Sequence, residues 1–305
     1  MDGSGALGQS YLAIVNPAAG GGRSRKLLGP ALERLKAGDI EVKVAATRAA
    51  GEATQIARDA YARGVREFIA VGGDGTSYEI VNGLYPEALS GERPTLAFLP
   101  LGTGNSFLRD FSDCGVEYAI ESLLAERSRP CDVLRLRHRT GELYYINILS
   151  MGFTADVATL RARSFSNWGE LGYLTSIFLT LARFNRRPFP VRLEGSEFDN
   201  RRCLFLTFNN SKFTGGTMMI APKAEVDNGL IEYVRWGPIG RLGLIRNLPT
   251  LYDGTHIQHP LAEHKGVRRV EFKLDQPVDV MVDGEVLTLH CEQIDVLPGA
   301  LNVVA

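Results

Sequence analysis

An α/β domain on a parallel sheet, followed by a β-rich antiparallel, sandwich-like domain, is the fold class predicted for this 305-residue chain. Two observations carry it. Up to about residue 137, short apolar runs alternate with helical patterns, as in right-handed βαβ units. Beyond about residue 138, many short strand-like runs follow without regular intervening helices. A third observation concerns function: three early strands each empty into a glycine-rich loop.

In the first part the spacing predicts strands at 11–15, 41–46, 67–71, 95–100 and 132–137. It predicts helices at 25–36, 52–63, 76–84 and 116–126. Ile56, Ala57, Ala60 and Tyr61 form one helical face, with Gly64 as the terminator. Pro30 is expected to delay the start of the first helix. In the second part, strands are expected at 143–149, 203–209, 230–235, 270–274, 278–282, 286–290 and 293–297, with Gly, Asn, Asp and Pro between several of them. Two helical patches interrupt them, at 169–184 and 240–251. The expected domains are 9–137 and 138–297.

Composition narrows the class. Apolar residues make up 45% and charged residues 23%, as in a soluble globular protein. A net charge of −1 gives no basic field for nucleic acid. Cys114, Cys131, Cys203 and Cys291 are scattered and form no CxxC, against structural zinc and a disulfide framework. The five histidines show no metal-ligand spacing. The polar, Gly-rich start lacks the pattern of a signal peptide. The longest apolar stretch, 173–182, is about half a membrane span. A cytoplasmic protein is expected.

The sequence FIAVGGDGT at Phe68–Thr76 is the most informative stretch. A buried strand ends in Gly72, Gly73, Asp74, Gly75 and Thr76, and a helix follows. Glycines let backbone N–H groups approach an anion, and the helix N-terminus adds partial positive charge. Asp74 would repel a phosphate unless a cation lay between them, so it reads as a ligand of Mg²⁺ or its water. The alternative is a tight turn with a capping Asp. A second strand empties into Gly102, Thr103, Gly104, Asn105 and Ser106. The first strand empties into Asn16 and Gly20–Gly22, followed by Arg23 and Lys26, which are either phosphate contacts or solvated cations. In open α/β sheets such loops gather at the carboxyl ends of the strands, where ligands bind.

Taken in order, Asn16-Pro17, GGDGT, Asn82–Leu84 and Pro100–Asn105 resemble the diacylglycerol kinase catalytic domain family, which includes bacterial lipid kinases and the sphingosine and ceramide kinases. The resemblance continues through 221–229, Gly254–His256 and Asp283-Gly284-Glu285, and so covers nearly the whole chain. GGDGT alone is shared with NAD kinases and resembles a phosphofructokinase loop; the ordered set is more specific.

The resemblance implies an ATP-dependent lipid kinase using Mg²⁺, with its active site in an interdomain cleft and residues 298–305 completing the first domain. It implies a base in the Asp283-Gly284-Glu285 segment, with Asp283 the first choice, Glu285 the alternative and Asp74 a competitor. By itself, Asp283-Gly284 is also an ordinary hairpin signal. Thr47 and Gly51 would contact nucleotide, or simply begin a helix. Glu79 would support the metal or lie in solvent. Asp227 would hold a separate structural Mg²⁺, although Asn228 stands where Asp is common. His256 is expected to pack or hydrogen-bond.

Aromatic and basic residues in 168–187 read either as an interfacial helix or as a core helix. The lipid would be reached by peripheral contact with a membrane, and a homodimer stays open. Ser77, Tyr78 and Ser106 depart from the family pattern. Because Ser106 replaces an Asp of many diacylglycerol kinases, sphingoid or ceramide-like acceptors stay open. The rival readings are an NAD kinase-like enzyme and a non-catalytic lipid-binding protein.

Overall fold

The computed structural model describes residues 10–102, 105–113, 115–164, 179–180 and 186–305. The chain divides into two compact units. One comprises the residues up to Cys131 together with Ala300–Ala305, the other Asp132–Gly299. The division falls at 131/132 rather than at 137/138. A single strand, Ser128–His138, runs through both positions, so no break in the hydrophobic pattern marks it.

In the first unit, β1 (Ser10–Val15), β2 (Glu41–Ala46), β3 (Glu67–Val71) and β4 (Thr95–Leu99) form a parallel sheet in the order β2-β1-β3-β4. The C-terminal residues Asn302–Val304 add a parallel strand beside β4. The inner strands are almost wholly buried, which is why their sequences are continuous apolar runs. β2 forms an edge and alternates with charged residues.

Helices α1 (Arg23–Ala37), α2 (Glu52–Ala62), α3 (Asp74–Leu84) and α4 (Gly115–Leu124) connect the strands. Leu35 of α1 and Ile120 and Leu123 of α4 share one core with Val15, Ile69 and Leu99. Pro30 lies inside α1 and does not delay its start. Helix α3 begins at Asp74, two residues earlier than expected, so GGDGT is itself the helix N-terminus.

The second unit is antiparallel. Among the described residues, one six-stranded sheet runs in the order Ala262–Val267, Ile231–Trp236, Phe205–Asn209, Ile148–Gly152, Val278–Val282, Glu285–Leu289. Arg269–Phe272 pairs on one side with the start of the long strand Cys291–Val304 and on the other with Val191–Leu193. Phe208 of the six-stranded sheet packs edge-on against Phe272, their ring centroids 5.3 Å apart. The two layers therefore face each other as in a sandwich.

The expected strand 143–149 is two strands, Gly141–Tyr145 and Ile148–Gly152. The break has a cause: the N–H groups of Ile146, Asn147 and Ile148 bond a buried carboxylate, that of Asp283. The expected strand 203–209 is interrupted at Leu204, whose N–H bonds Trp236 O. The patch at 240–251 is two short helices, Arg241–Asn247 and Thr250–Asp253. A helix at Phe153–Ser164 and a strand at Ala262–Val267 were not expected, since neither has a clear hydrophobic period. The patch at 169–184 lies outside the described residues except for 179–180.

Candidate functional site

Main-chain hydrogen bonds gather the loops after β1, β3 and β4. Asn16 N–H bonds Val71 O at 3.0 Å, and Gly72 N–H bonds Leu99 O at 3.2 Å. Gly102 N–H bonds Gly72 O at 2.9 Å, so the second and third glycine loops touch. A Cβ on Gly102 would lie 2.7 Å from Gly73 N and 2.8 Å from Gly73 Cα. Only glycine fits there. Asn16 Oδ1 accepts the Ala18 N–H at 3.0 Å, and Gly20 and Gly21 take left-handed dihedrals in the turn that follows. The Arg23 side chain lies outside the described part, as do Thr103 and Gly104.

Helix α3 starts at this junction. Its N-cap, Gly73, has no side chain to bond the first N–H groups, and the Thr76 N–H turns to Gly73 O at 2.9 Å. A helix N-terminus without a side-chain cap presents donors and a positive dipole end to an anion. Gly72, Gly73, Asp74, Ser77, Asn105 and Phe107 line the cleft beside it. Asn105 Nδ2 donates to Gly102 O at 3.1 Å, which fixes the loop after β4.

Asp74 is half-buried at the head of α3. Its Oδ2 accepts the Ser106 N–H at 3.0 Å and its Oδ1 the Phe107 N–H at 3.4 Å. Burial raises its pKa, and the backbone and hydroxyl bonds from Ser106, with the Phe107 N–H, oppose the rise. Asp74 is thus a clamp holding the third loop to the second. Ser106 is buried, and its hydroxyl joins that clamp. A carboxylate in its place would put two negative charges side by side.

Thr47 and Gly51 belong to the same end of the sheet. Thr47 N–H and Oγ1 both bond Val15 O, at 2.8 and 3.3 Å. Gly51, with a φ of +84°, gives its N–H to Glu79 Oε1 at 2.9 Å. Glu79 Oε2 accepts the Ala53 N–H at 3.0 Å, and Glu79 O accepts the Thr54 hydroxyl at 2.9 Å. Both oxygens of the half-buried Glu79 are therefore engaged by main-chain donors. It caps α2 from α3 and sets the position of the loop that carries Thr47 and Gly51.

In the second unit, Asp283 and Gly284 form a two-residue hairpin with φ of +47° and +93°. The Asp283 carboxylate is buried and accepts the N–H groups of Ile146 (3.1 Å), Asn147 (3.2 Å) and Ile148 (2.8 Å). Its own N–H bonds Ile148 O at 3.0 Å. The carboxylate expected first as base thus holds a chain reversal in this structure. Glu285 is exposed on the same hairpin.

Asp132, which sequence reasoning missed, is a second clamp. It is fully buried, and its oxygens accept the N–H groups of Gly229 (2.6 Å) and Gly299 (2.7 Å). Burial raises its pKa, the two bonds oppose the rise, and Asp227 adds repulsion. A lone Asp at the head of an apolar strand was the available signal. His256 is buried, with Nδ1 3.2 Å from Thr250 O and Nε2 3.1 Å from Ile220 O, and burial lowers its pKa.

Most of the 168–187 patch lies outside the described residues. Of its arginines, Arg187 pairs with Asp156 at 2.5 Å, and Arg186 bonds Pro238 O at 3.2 Å. No helix among the described residues is long and apolar enough to cross a membrane.

Residues 10–136 match the diacylglycerol kinase catalytic domain, and residues 147–305 match the YegS C-terminal NAD kinase beta sandwich-like domain. The chain belongs to the diacylglycerol kinase and YegS-like lipid kinase family. A protein of Chromohalobacter salexigens named "Probable lipid kinase YegS-like" is 30% identical over 278 residues, 90% of this chain and 87% of that one. A diacylglycerol kinase of Mycobacterium tuberculosis is 26% identical over 295 residues, 95% and 93% of the two chains. A diacylglycerol kinase structure from Bacillus anthracis str. Sterne shares the fold with a TM-score of 0.71 at 22% identity, covering 97% of this chain and 96% of that one. Another structure from that organism reaches a TM-score of 0.80 at 23% identity, over 100% and 97%.

Lipid kinases of this family imply a nucleotide and a divalent metal, and the two candidate metal residues differ in fit. Mg²⁺ is commonly held by one or two carboxylates plus substrate phosphates. Asp74 suits that arrangement, since it lies beside the anion-binding helix end. Asp227 fits less well: it is exposed, and the neighbouring Asn228 side-chain oxygen already accepts the Leu230 N–H.

Proposed function

We propose that this protein is an ATP-dependent lipid kinase that transfers the γ-phosphate to a lipid hydroxyl, with diacylglycerol the first candidate acceptor. One observation carries the reading: two glycine loops are bonded to each other at the N-terminus of α3, which has no side-chain cap, with the Asp74 carboxylate beside them and the loop after β1 leaving the neighbouring strand end. Phosphoryl transfer is largely positioning and charge stabilisation. Main-chain N–H groups of Gly72–Thr76 and the Gly102–Asn105 loop hold the phosphates. Asn16 and Thr47 fix the ends of their strands beside them, and Arg23 adds a cation. Mg²⁺ carried on the nucleotide would neutralise phosphate charge, with Asp74 as its protein contact. In the second unit, Glu285 takes the acceptor proton and Asp283 holds the hairpin that presents it. The lipid is met by peripheral contact at a bilayer surface.

The test is transfer of radiolabel from ATP to a panel of diacylglycerol, monoacylglycerol, sphingosine, ceramide and NAD, with and without Mg²⁺. Metal-dependent labelling of a lipid is expected, with diacylglycerol the best acceptor. Labelling of NAD and of no lipid would overturn the reading.

A further inference from the structure

The helical segment Arg241–Asp253 is apolar on two sides. Its two short helices are joined by Leu248 and Pro249, whose right-handed dihedrals carry the helical path through (φ −56°, ψ −41° and φ −58°, ψ −33°). One side is spent on the core: Leu244 and Leu251 are buried with Trp236 and Ala221, and Leu248 packs against them. Among the described residues, the second side is exposed. Leu242 is 83% exposed, Ile245 49% and Tyr252 43%, and Pro249 lies exposed between them.

These four positions are spaced three, four and three residues apart, which puts them on one stripe. Single exposed apolar side chains are common on a protein surface, whereas an ordered stripe marks a contact. On the same helical projection Arg241 and Arg246, both exposed, fall on either side of the stripe. The sole acidic residue between Gly237 and Leu261 is Asp253, whose carboxylate accepts the Thr255 N–H at 2.9 Å and its hydroxyl at 2.6 Å. An apolar stripe edged by arginines matches an anionic lipid surface, with aliphatic side chains entering the acyl boundary and guanidinium groups at the headgroups.

We propose that the stripe Leu242–Ile245–Pro249–Tyr252, edged by Arg241 and Arg246, is the surface by which the protein lies on an anionic bilayer. In assigning a bilayer as the occupant, the proposal rests on the lipid-kinase reading. It places the contact in a segment distinct from 168–187.

The test is sedimentation with vesicles of phosphatidylcholine, alone or mixed with phosphatidylglycerol. Wild type is compared with Leu242→Asp/Ile245→Asp and with Arg241→Gln/Arg246→Gln. Wild type should bind the anionic vesicles, and more weakly in high salt. The Leu/Ile pair should lose at least about tenfold in partition, through lost apolar burial. The Arg pair should lose the preference for phosphatidylglycerol. Neither variant should melt differently, since the altered side chains are exposed. Turnover should fall for lipid in vesicles and hold for lipid dispersed in detergent.

Vesicle binding equal in all three proteins, or absent in wild type, overturns the proposal. So does a dimer that the Leu/Ile pair converts to monomer while vesicle binding persists, since the stripe would then belong to a second copy. Stripe-dependent vesicle binding without phosphorylation of any lipid keeps the surface and removes the kinase reading instead.

Discussion

Glu79 offers the sharpest separation of positioning from chemistry. Its carboxylate accepts the N–H groups of Gly51 and Ala53, the first donors of α2, and Gly51 brings no side chain of its own to that task. Hydrogen bonds to a charged acceptor contribute about 1.5–3 kcal/mol each. An anion at a helix start adds about 0.3–1 kcal/mol. The Gly51 N–H is exposed and Glu79 half-buried, which favours the low end. Glu79→Ala should therefore cost about 3 kcal/mol, and Glu79→Gln, which keeps one acceptor, about 1.5 kcal/mol. For a unit of this size that means a fall in melting temperature of about 6–12 °C and 3–6 °C respectively. Freeing the loop loosens Thr47 and Gly51, so KM for ATP should rise by about tenfold or more while kcat falls by less. Calorimetry and initial rates over a range of ATP concentrations measure both. A kcat collapse with KM and melting temperature unchanged would place Glu79 at the metal, and the capping argument would fail.

Gly102→Ala should weaken ATP binding by at least about tenfold, because its Cβ would meet the backbone of Gly73 and part the two loops; titration calorimetry that finds wild-type affinity would remove this contact from the site. For Asp74, burial raises the folded pKa above the ordinary 3.8. A raised acid pKa means that the folded state gains stability as pH falls through it, while the charged form needed for the metal is lost. Titration of Asp74 in the metal-free protein, followed by NMR, should therefore lie above the ordinary carboxylate value, and Mg²⁺ with ATP should lower it; a metal-free titration at or below 3.8 would remove the burial argument, and one that Mg²⁺ with ATP leaves unmoved would remove Asp74 as the metal contact. Asp283→Asn should destabilise by about 3 kcal/mol, since three N–H donors lose a charged acceptor. Glu285→Gln should leave melting within about 0.5 kcal/mol and slow turnover by about a hundredfold or more; the opposite pattern would make Asp283 the base.

The fold class and the family were legible because both rest on local pattern. Buried parallel strands are continuous apolar runs, and each glycine loop reports a backbone requirement that no other residue meets. The boundaries that failed were set by distant partners. Nothing near Ile146 announces that its N–H will bond a carboxylate 137 residues away, yet that bond splits the expected strand. Glu79 is similar: as a polar residue on a helix it reads as solvated, and its role depends on where α2 begins, 26–28 residues earlier in the chain. The strand Ala262–Val267 was missed because an exposed edge strand needs no alternation.

Asp74, Glu79, Asp132 and Asp283 share one physical device. Each accepts two or three main-chain N–H groups from segments far off in sequence, and each thereby holds a loop that no regular ladder holds. A motif tells which carboxylates matter and not whether they act on substrate or on the chain. Removing any of the four leaves donors without their acceptor, so loss of activity alone does not distinguish catalyst from clamp. The distinction lies in pairing stability with kinetics. A clamp shows a lowered melting temperature together with weakened nucleotide binding, and a group acting at the phosphate or the acceptor hydroxyl shows a kinetic loss in a protein that melts normally. By this criterion the two carboxylates of the hairpin separate: Asp283→Asn is expected to register as a clamp, and Glu285, exposed on the same hairpin, in the kinetics. Asp74 is expected to register on both measurements, since it bonds Ser106 and lines the cleft at the head of α3 at once.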